Sequence, residues 1–239
     1  MRLETLELGC AGPAIVFVHG SLNEGITAFQ AQRDLSARWR LRIPNRRGYG
    51  NSPPIERVDP DVDAADIVEM LEAGAHLVGT SMGGVIAARA AARAPERVRS
   101  LTLIEPPAFP NAIDMPEVAS VAQAMKDHWA TAERLDAAAF MRGFLRALGE
   151  GAPAPSTLSP AAEKAAYNLM TEAPWLAAVP AEAVARASFP KLLVSADWSP
   201  AFNAICDRLA QQWKGLRRIF PGAGHAVQRI GEPFNILLE

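Results

Sequence analysis

The sequence predicts an α/β fold: a mostly parallel central β-sheet flanked by helices, with a helical lid inserted late in the chain. Three observations carry this. Short β-rich runs alternate with helical patterns, the order that builds parallel strands joined by crossover helices. One run, Ala75 to Val78, leads through Gly79-Thr80-Ser81-Met82-Gly83-Gly84 into the alanine-rich stretch Val85 to Ala94, which reads as strand, sharp turn and helix. More than eighty residues then separate the strand Val98 to Ile104 from the next one, Lys191 to Val194, far more than one crossover helix needs.

Leu3 to Leu8 alternates apolar and polar residues at period two, as an edge strand does. Ala14 to Val18 is continuously apolar and β-branched, which suits a central strand buried on both faces. Phe29 and Leu35 with intervening alanines predict a helix over Thr27 to Ala37, and Trp39 to Ile43 alternates again as a strand that Pro44 stops. The glycine-punctuated loop Asn45 to Ser52 follows. A helix is expected from Asp61 to Ala73 with Ile67, Val68 and Leu71 facing inward and Gly74 near its end.

Residues 109–186 read as the lid, set into a core domain formed by residues 1–108 and 187–239. Val118, Val121, Met125 and Trp129 fall at helical spacing, as do Phe140, Phe144, Leu145 and Leu148 behind Asp136, a candidate N-cap. A Gly- and Pro-rich break from Gly149 to Pro160 precedes a further helix, for which Ser159 and Pro160 suit N-cap and N1. Phe109, Trp129, Phe140 and Trp175 could wall a pocket, although core of the lid is the preferred reading for each. Asn203 to Trp213 is helical, Leu216 to Phe220 is the last strand, and Gly231 to Glu239 begins a final helix.

Composition narrows the function. Of the 239 residues, 49% are apolar and 21% charged, the balance of a soluble globular protein, and a net charge of −2 without basic runs offers nucleic acid no footprint. Cys10 and Cys206 make no disulfide framework, which points to a reducing, cytoplasmic setting. The opening residues lack the uninterrupted apolar run of a signal peptide, and no stretch suits a membrane span.

The Gly-x-Ser-x-Gly turn has a chemical rationale. A serine hydroxyl attacks poorly unless it is lifted clear of the backbone, and a tight turn lifts it while aiming main-chain N–H groups at the place where negative charge forms. Glycines two residues to either side of Ser81 remove Cβ atoms that would collide as strand and helix approach.

Four segments in order resemble the α/β-hydrolase superfamily over nearly the whole chain. They are Val-His-Gly-Ser at 18–21, Arg-Arg-Gly-Tyr-Gly-Asn-Ser at 46–52, Gly-Thr-Ser-Met-Gly-Gly at 79–84 and Gly-Ala-Gly-His at 222–225. The resemblance implies Ser81 as nucleophile and His225 as general base, with the backbone N–H groups of Ser21 and Met82 as oxyanion hole. Imidazole titrates near neutrality, so it can take the serine proton and return it to a leaving group. His19, His76 and His128 read as structural, His19 holding its loop.

The acid is open between two residues. The family's usual Gly-x-x-Asp turn is replaced here by Ala196-Asp197-Trp198-Ser199, so the expected position holds Ser199, and Asp197 comes two residues early, about 7 Å along an extended chain. Some members place the acid one strand earlier, where this chain has Glu105; Glu105 is preferred and Asp197 is the alternative. Asn45 stands where relatives often have Asp.

The resemblance implies a serine hydrolase acting through an acyl-enzyme on a small, fairly apolar ester, lactone or thioester, without metal or organic cofactor. Hydrolysis of a C–C bond in a diketone-like substrate is the alternative within the same chemistry. A non-catalytic ligand-binding member of the fold is the second class, which Ser199 at the usual acid position favours. The expected partner is a small molecule only.

Overall fold

The computed structural model describes residues 2–149 and 157–239, so most of the break expected between Gly149 and Pro160 lies outside the described residues. Seven strands form one sheet: β1 (Thr5–Leu8), β2 (Ala14–Val18), β3 (Arg40–Pro44), β4 (Ala75–Thr80), β5 (Val98–Ile104), β6 (Lys191–Ser195) and β7 (Leu216–Ile219). Their spatial order is β1-β3-β2-β4-β5-β6-β7, and every pair is parallel except β1 with β3.

The period-two alternation of a strand decides which face each residue serves. In β2, Ala14, Val16 and Val18 enter one core, while Ile15 and Phe17 enter the other. All five are buried, which is why the run carries no polar residue. Helices α2 (Pro60–Met70), α3 (Met82–Arg93) and α8 (Pro200–Trp213) cover the first face. The second is covered by α1 (Gly25–Ala28), a 3-10 segment (Gln30–Ala37) and α9 (Glu232–Leu238).

Between β5 and β6 lie α4 (Pro116–Trp129), α5 (Ala137–Leu148), α6 (Pro160–Met170) and α7 (Ala181–Arg186). Their starts follow local chemistry: Asp136 accepts from Ala139 N at 2.7 Å and Ser159 from Ala162 N at 3.3 Å, each satisfying a helix-start donor, and Pro160 occupies N1 of α6. Gly149, at φ +88°, closes α5 in the left-handed region. Among the described residues no helix is long and apolar enough to cross a membrane.

Two expectations shift. The helix predicted over Thr27 to Ala37 is one α-turn followed by 3-10 structure. Phe29 leaves helical geometry, with φ −118° and ψ 27°, to set its ring 4.8 Å from that of Phe17. The Gln32 amide then donates to Gln228 O and Asn235 Oδ1, so tertiary partners override local propensity. The helix expected to reach Ala73 stops at Met70, and the left-handed Glu72 and Gly74 turn the chain into β4.

The Phe17 ring lies wholly inside the second core. Phe17→Ala should therefore cost about 3–5 kcal/mol, read as a lower urea midpoint at unchanged slope.

Candidate active site

The turn after β4 puts Ser81 at φ +52° and ψ −128°, a backbone conformation that costs a non-glycine residue about 1–3 kcal/mol. Close packing holds it there. A Cβ on Gly79 would collide with the carbonyl oxygen of Gly83, and one on Gly83 with the carbonyl oxygens of Val18 and His19. A Cβ on Gly20 would stand 2.8 Å from the Ser81 Cβ. Ser81 sits at the N-cap of α3, yet its side chain makes no capping hydrogen bond, so the hydroxyl is not spent on the helix. The N–H of Met82 opens α3, where the first donors lack intrahelical partners.

At the end of β5 Glu105 is also left-handed, with φ +43°, and its carboxylate has no solvent exposure. Its oxygens lie 2.8 Å from Ala196 N, 3.0 and 3.1 Å from Trp198 Nε1, and 2.6 Å from His225 Nδ1. The His225 ring also packs on two aromatic neighbours, 4.9 Å from Phe202 and 5.7 Å from Trp198. With Nδ1–H donated to the carboxylate, Nε2 is left as an acceptor.

Asp197, the alternative acid, turns elsewhere: its Oδ1 accepts from Gly222 N at 2.8 Å and braces the loop that carries His225. Ser199 is the N-cap of α8, accepting from Phe202 N at 3.4 Å. Of the two candidate carboxylates, Glu105 is the one that meets His225.

Ser81, His225, Ser21 and Met82 line a single cavity of about 20 Å³, walled by apolar residues that include Met125, Phe144, Leu148, Leu169 and Phe202. The four aromatics considered as walls do not line it. Phe109 and Phe140 are fully buried, and Trp129 packs among Phe140, Phe144 and Trp175 as core of the helical segment. Phe144, next in the same helical stripe, is the aromatic that reaches the cavity from α5.

The remaining histidines serve structure. His19 is fully buried and joins two loops: Arg46 N donates to its Nε2 at 2.9 Å, which places the proton on Nδ1, 2.7 Å from Gly20 O. Burial, reinforced by the Arg46 charge, holds its pKa well below the usual histidine value. His76 pairs with Ser100 Oγ at 2.8 Å and His128 stacks on Phe140 at 4.6 Å. Cys206 is buried, and desolvation pushes its thiol up to about 12, which removes it as a nucleophile. Among the described residues no group of three or more His, Cys, Asp or Glu side chains is placed to hold a metal ion.

Asn45 is structural for a legible reason. It accepts from Gly25 N at 2.8 Å and donates to Glu4 Oε2 at 2.7 Å, a donation an Asp carboxylate could not make.

A second polar cluster borders the cavity, and the sequence offered no sign of it. Glu172, just after α6, lines the cavity, and its Oε2 accepts from Ser21 Oγ at 2.6 Å. Its Oε1 lies 3.3 Å from Nη2 of the buried Arg46, whose Nη1 is 3.8 Å from Asp63. Burial pushes the Glu172 carboxyl up to about 7, against the pull of Arg46 and the Ser21 hydrogen bond. The tandem arginines of the loop part ways: Arg46 turns inward, while Arg47 pairs with Asp66 at 2.6 and 2.8 Å near the surface. No local spacing could reveal a contact between residues 151 positions apart.

Comparison with known proteins agrees with this architecture. A model of the alpha/beta hydrolase family matches residues 15–232. The chain belongs to that family. Among relatives of this alpha/beta hydrolase, the pimeloyl-(acyl-carrier protein) methyl ester esterase of Chromobacterium violaceum is 37% identical over 94 residues, 39% of this chain and 37% of that protein. The protein of the same name from Aeromonas salmonicida is 34% identical over 111 residues, 45% of this chain and 44% of that one. The matches thus span less than half the length of these relatives. The crystal structure of an alpha/beta hydrolase from Sphaerobacter thermophilus superposes with a TM-score of 0.68 at 20% identity, over 99% of this chain and 96% of that one. At that identity the likeness speaks for the fold alone.

The Glu172 shift has a thermodynamic sign. A carboxyl raised from 4.5 to about 7 contributes stability fully present below its unfolded value and lost as pH rises through about 7. The depressed His19 pulls the other way, its contribution being lost as pH falls below the ordinary histidine value. A Glu172→Gln variant keeps His19, so its melting temperature should fall less than that of the wild type between about pH 5 and pH 8, as calorimetry would record.

Proposed function

We propose that this chain is a serine hydrolase that cleaves a small, fairly apolar ester, lactone or thioester through an acyl-enzyme. The observation that carries the reading is the 2.6 Å contact between His225 Nδ1 and the buried Glu105 carboxylate, with His225 and Ser81 both lining one cavity. The esterase names of the relatives in Chromobacterium and Aeromonas support the choice of an ester-type bond.

In this scheme His225 Nε2 takes the Ser81 proton as Oγ attacks the carbonyl carbon. Glu105 holds the ring in the tautomer that can do so and stabilises the imidazolium that results. The N–H groups of Met82 and Ser21 receive the charge that gathers on the carbonyl oxygen. Collapse expels the alcohol or thiol, protonated by His225, and water then repeats the sequence to release the acid. Residues 109–186 act as the lid over a core made of 1–108 and 187–239. A cavity of about 20 Å³ holds little more than one water, and in this scheme its side-chain walls on the lid shift as substrate enters. The same apparatus would serve C–C bond hydrolysis, but no feature of the cavity favours a diketone.

Labelling with a fluorophosphonate and turnover of an ester panel test the reading. Ser81→Ala should lose the label and lower kcat by about a millionfold. Glu105→Gln should retain the fold and lower kcat by about ten thousandfold, because the ring loses its anionic partner. Asp197→Asn should stay within a few-fold of wild type, since an amide oxygen can still accept from Gly222 N. Folded wild-type protein that takes no label at Ser81 would sink the proposal and leave a ligand-binding member of the fold.

A further inference from the structure

The cavity has two polar poles. Ser81 and His225 form the first, and the second consists of Ser21 Oγ and the Glu172 carboxylate. Apart from His225, Glu172 is the only ionisable side chain among the described residues lining it. A carboxylate set into an apolar wall is costly unless donors surround it.

Glu172 is not fully explained as a counter-ion for Arg46. Their closest approach is 3.3 Å through one nitrogen, and among the described residues the buried Arg46 Nε and Nη1 have no hydrogen-bond partner. Asp66 meets Arg47 with two short parallel bonds, whereas Glu172 meets Arg46 with one long one, so the ion pair accounts for Glu172 only in part. The shortest Glu172 contact instead is the 2.6 Å bond to a hydroxyl on the cavity wall. One guanidinium also faces two carboxylates here, Asp63 and Glu172, so the cluster carries an excess negative charge when both are ionised.

We infer that Ser21 and Glu172 form a specificity-determining subsite, which takes a hydrogen-bond donor, hydroxyl or ammonium, carried by the substrate's acyl chain close to the reacting carbonyl. The closeness follows from Ser21 itself. Its main-chain N–H is assigned to the carbonyl oxygen and its side chain bonds Glu172, so one residue serves both the oxyanion and the subsite. A donor two or three bonds from the carbonyl carbon suits that arrangement. The carboxylate keeps unused lone pairs for it, because Ser21 and Arg46 take one interaction on each oxygen. The inference rests on the hydrolase reading above and adds the acyl group that reading leaves open.

The test compares kcat/KM, by pH-stat at neutral pH, for methyl butanoate, methyl 3-hydroxybutanoate and methyl 3-aminobutanoate. The wild type should favour at least one donor-bearing ester over methyl butanoate by about tenfold or more. The arm that wins tells hydroxyl from ammonium. In Glu172→Gln an ammonium preference should vanish, since the charge is gone, and a hydroxyl preference should shrink by about tenfold, each read as a ratio to methyl butanoate within the variant. Equal turnover of all three esters by the wild type overturns the inference without needing the variant, even if Glu172→Gln fails to fold. A preference left unchanged in folded Glu172→Gln overturns it too. Absence of turnover with every ester, together with no label at Ser81, would overturn the hydrolase reading and this inference with it.

Discussion

A carboxylate without access to water must find its donors inside the protein, and Glu105 finds them on three residues of two segments. The Ala196 amide and the Trp198 indole arrive from the turn after β6, and the His225 ring from the loop after β7. Each donor lowers the cost of keeping the charge buried, and each is fixed in return. The turn after β6 cannot relax away, α8 must start at Ser199, and the His225 loop is tied back by Asp197 through Gly222. Left-handed backbone at Glu105 is the strain this arrangement stores, held by the β5–β6 pairing that binds Glu105 N to Val194 O at 2.9 Å.

The other pole of the site depends on absence of side chains. Strand β4, helix α3 and the loop after β2 approach so closely that Cβ atoms at Gly79, Gly83 and Gly20 would overlap backbone or Ser81. The contact forces Ser81 out of ordinary geometry and brings the loop bearing Ser21 beside the start of α3. His19 secures that loop from behind, as a neutral ring bridging Gly20 O and Arg46 N. Buried as it is, a charged imidazole there would have neither water nor an anionic partner at its two bonded positions, which is why the ring stays neutral.

Much of this was legible along the chain. The apolar run Ala14–Val18, the capped helix starts at Asp136 and Ser159, and the sharp strand-to-helix turn at the glycine-framed Ser81 are signals that act over a few residues, and the backbone forms each as read. The 3-10 segment at Gln30–Ala37 was not legible, because its partners Gln228 and Asn235 lie about two hundred positions away. Along the chain Glu105 was preferred with Asp197 as the alternative, and what separates them in the structure is direction: one side chain points to Gly222 and the other to His225. Glu172 gave no signal at all, since a glutamate after a helix is ordinary until Ser21 and Arg46 are folded against it.

The sequence by itself determined the fold class, the strand and helix order, and the residue types able to supply a nucleophile, a base and main-chain donors. The elements depend on periodicity, capping and backbone freedom, all of which are local, and the residue roles on the ordered motifs that resemble the α/β-hydrolase superfamily. Tertiary structure alone decided which carboxylate meets His225, which helical side chains close the cavity, and that Arg46 and Glu172 lie buried beside it. Those outcomes turn on where side chains from distant strands converge and on how much water is left between them, and neither quantity is written in the spacing of residues along one chain.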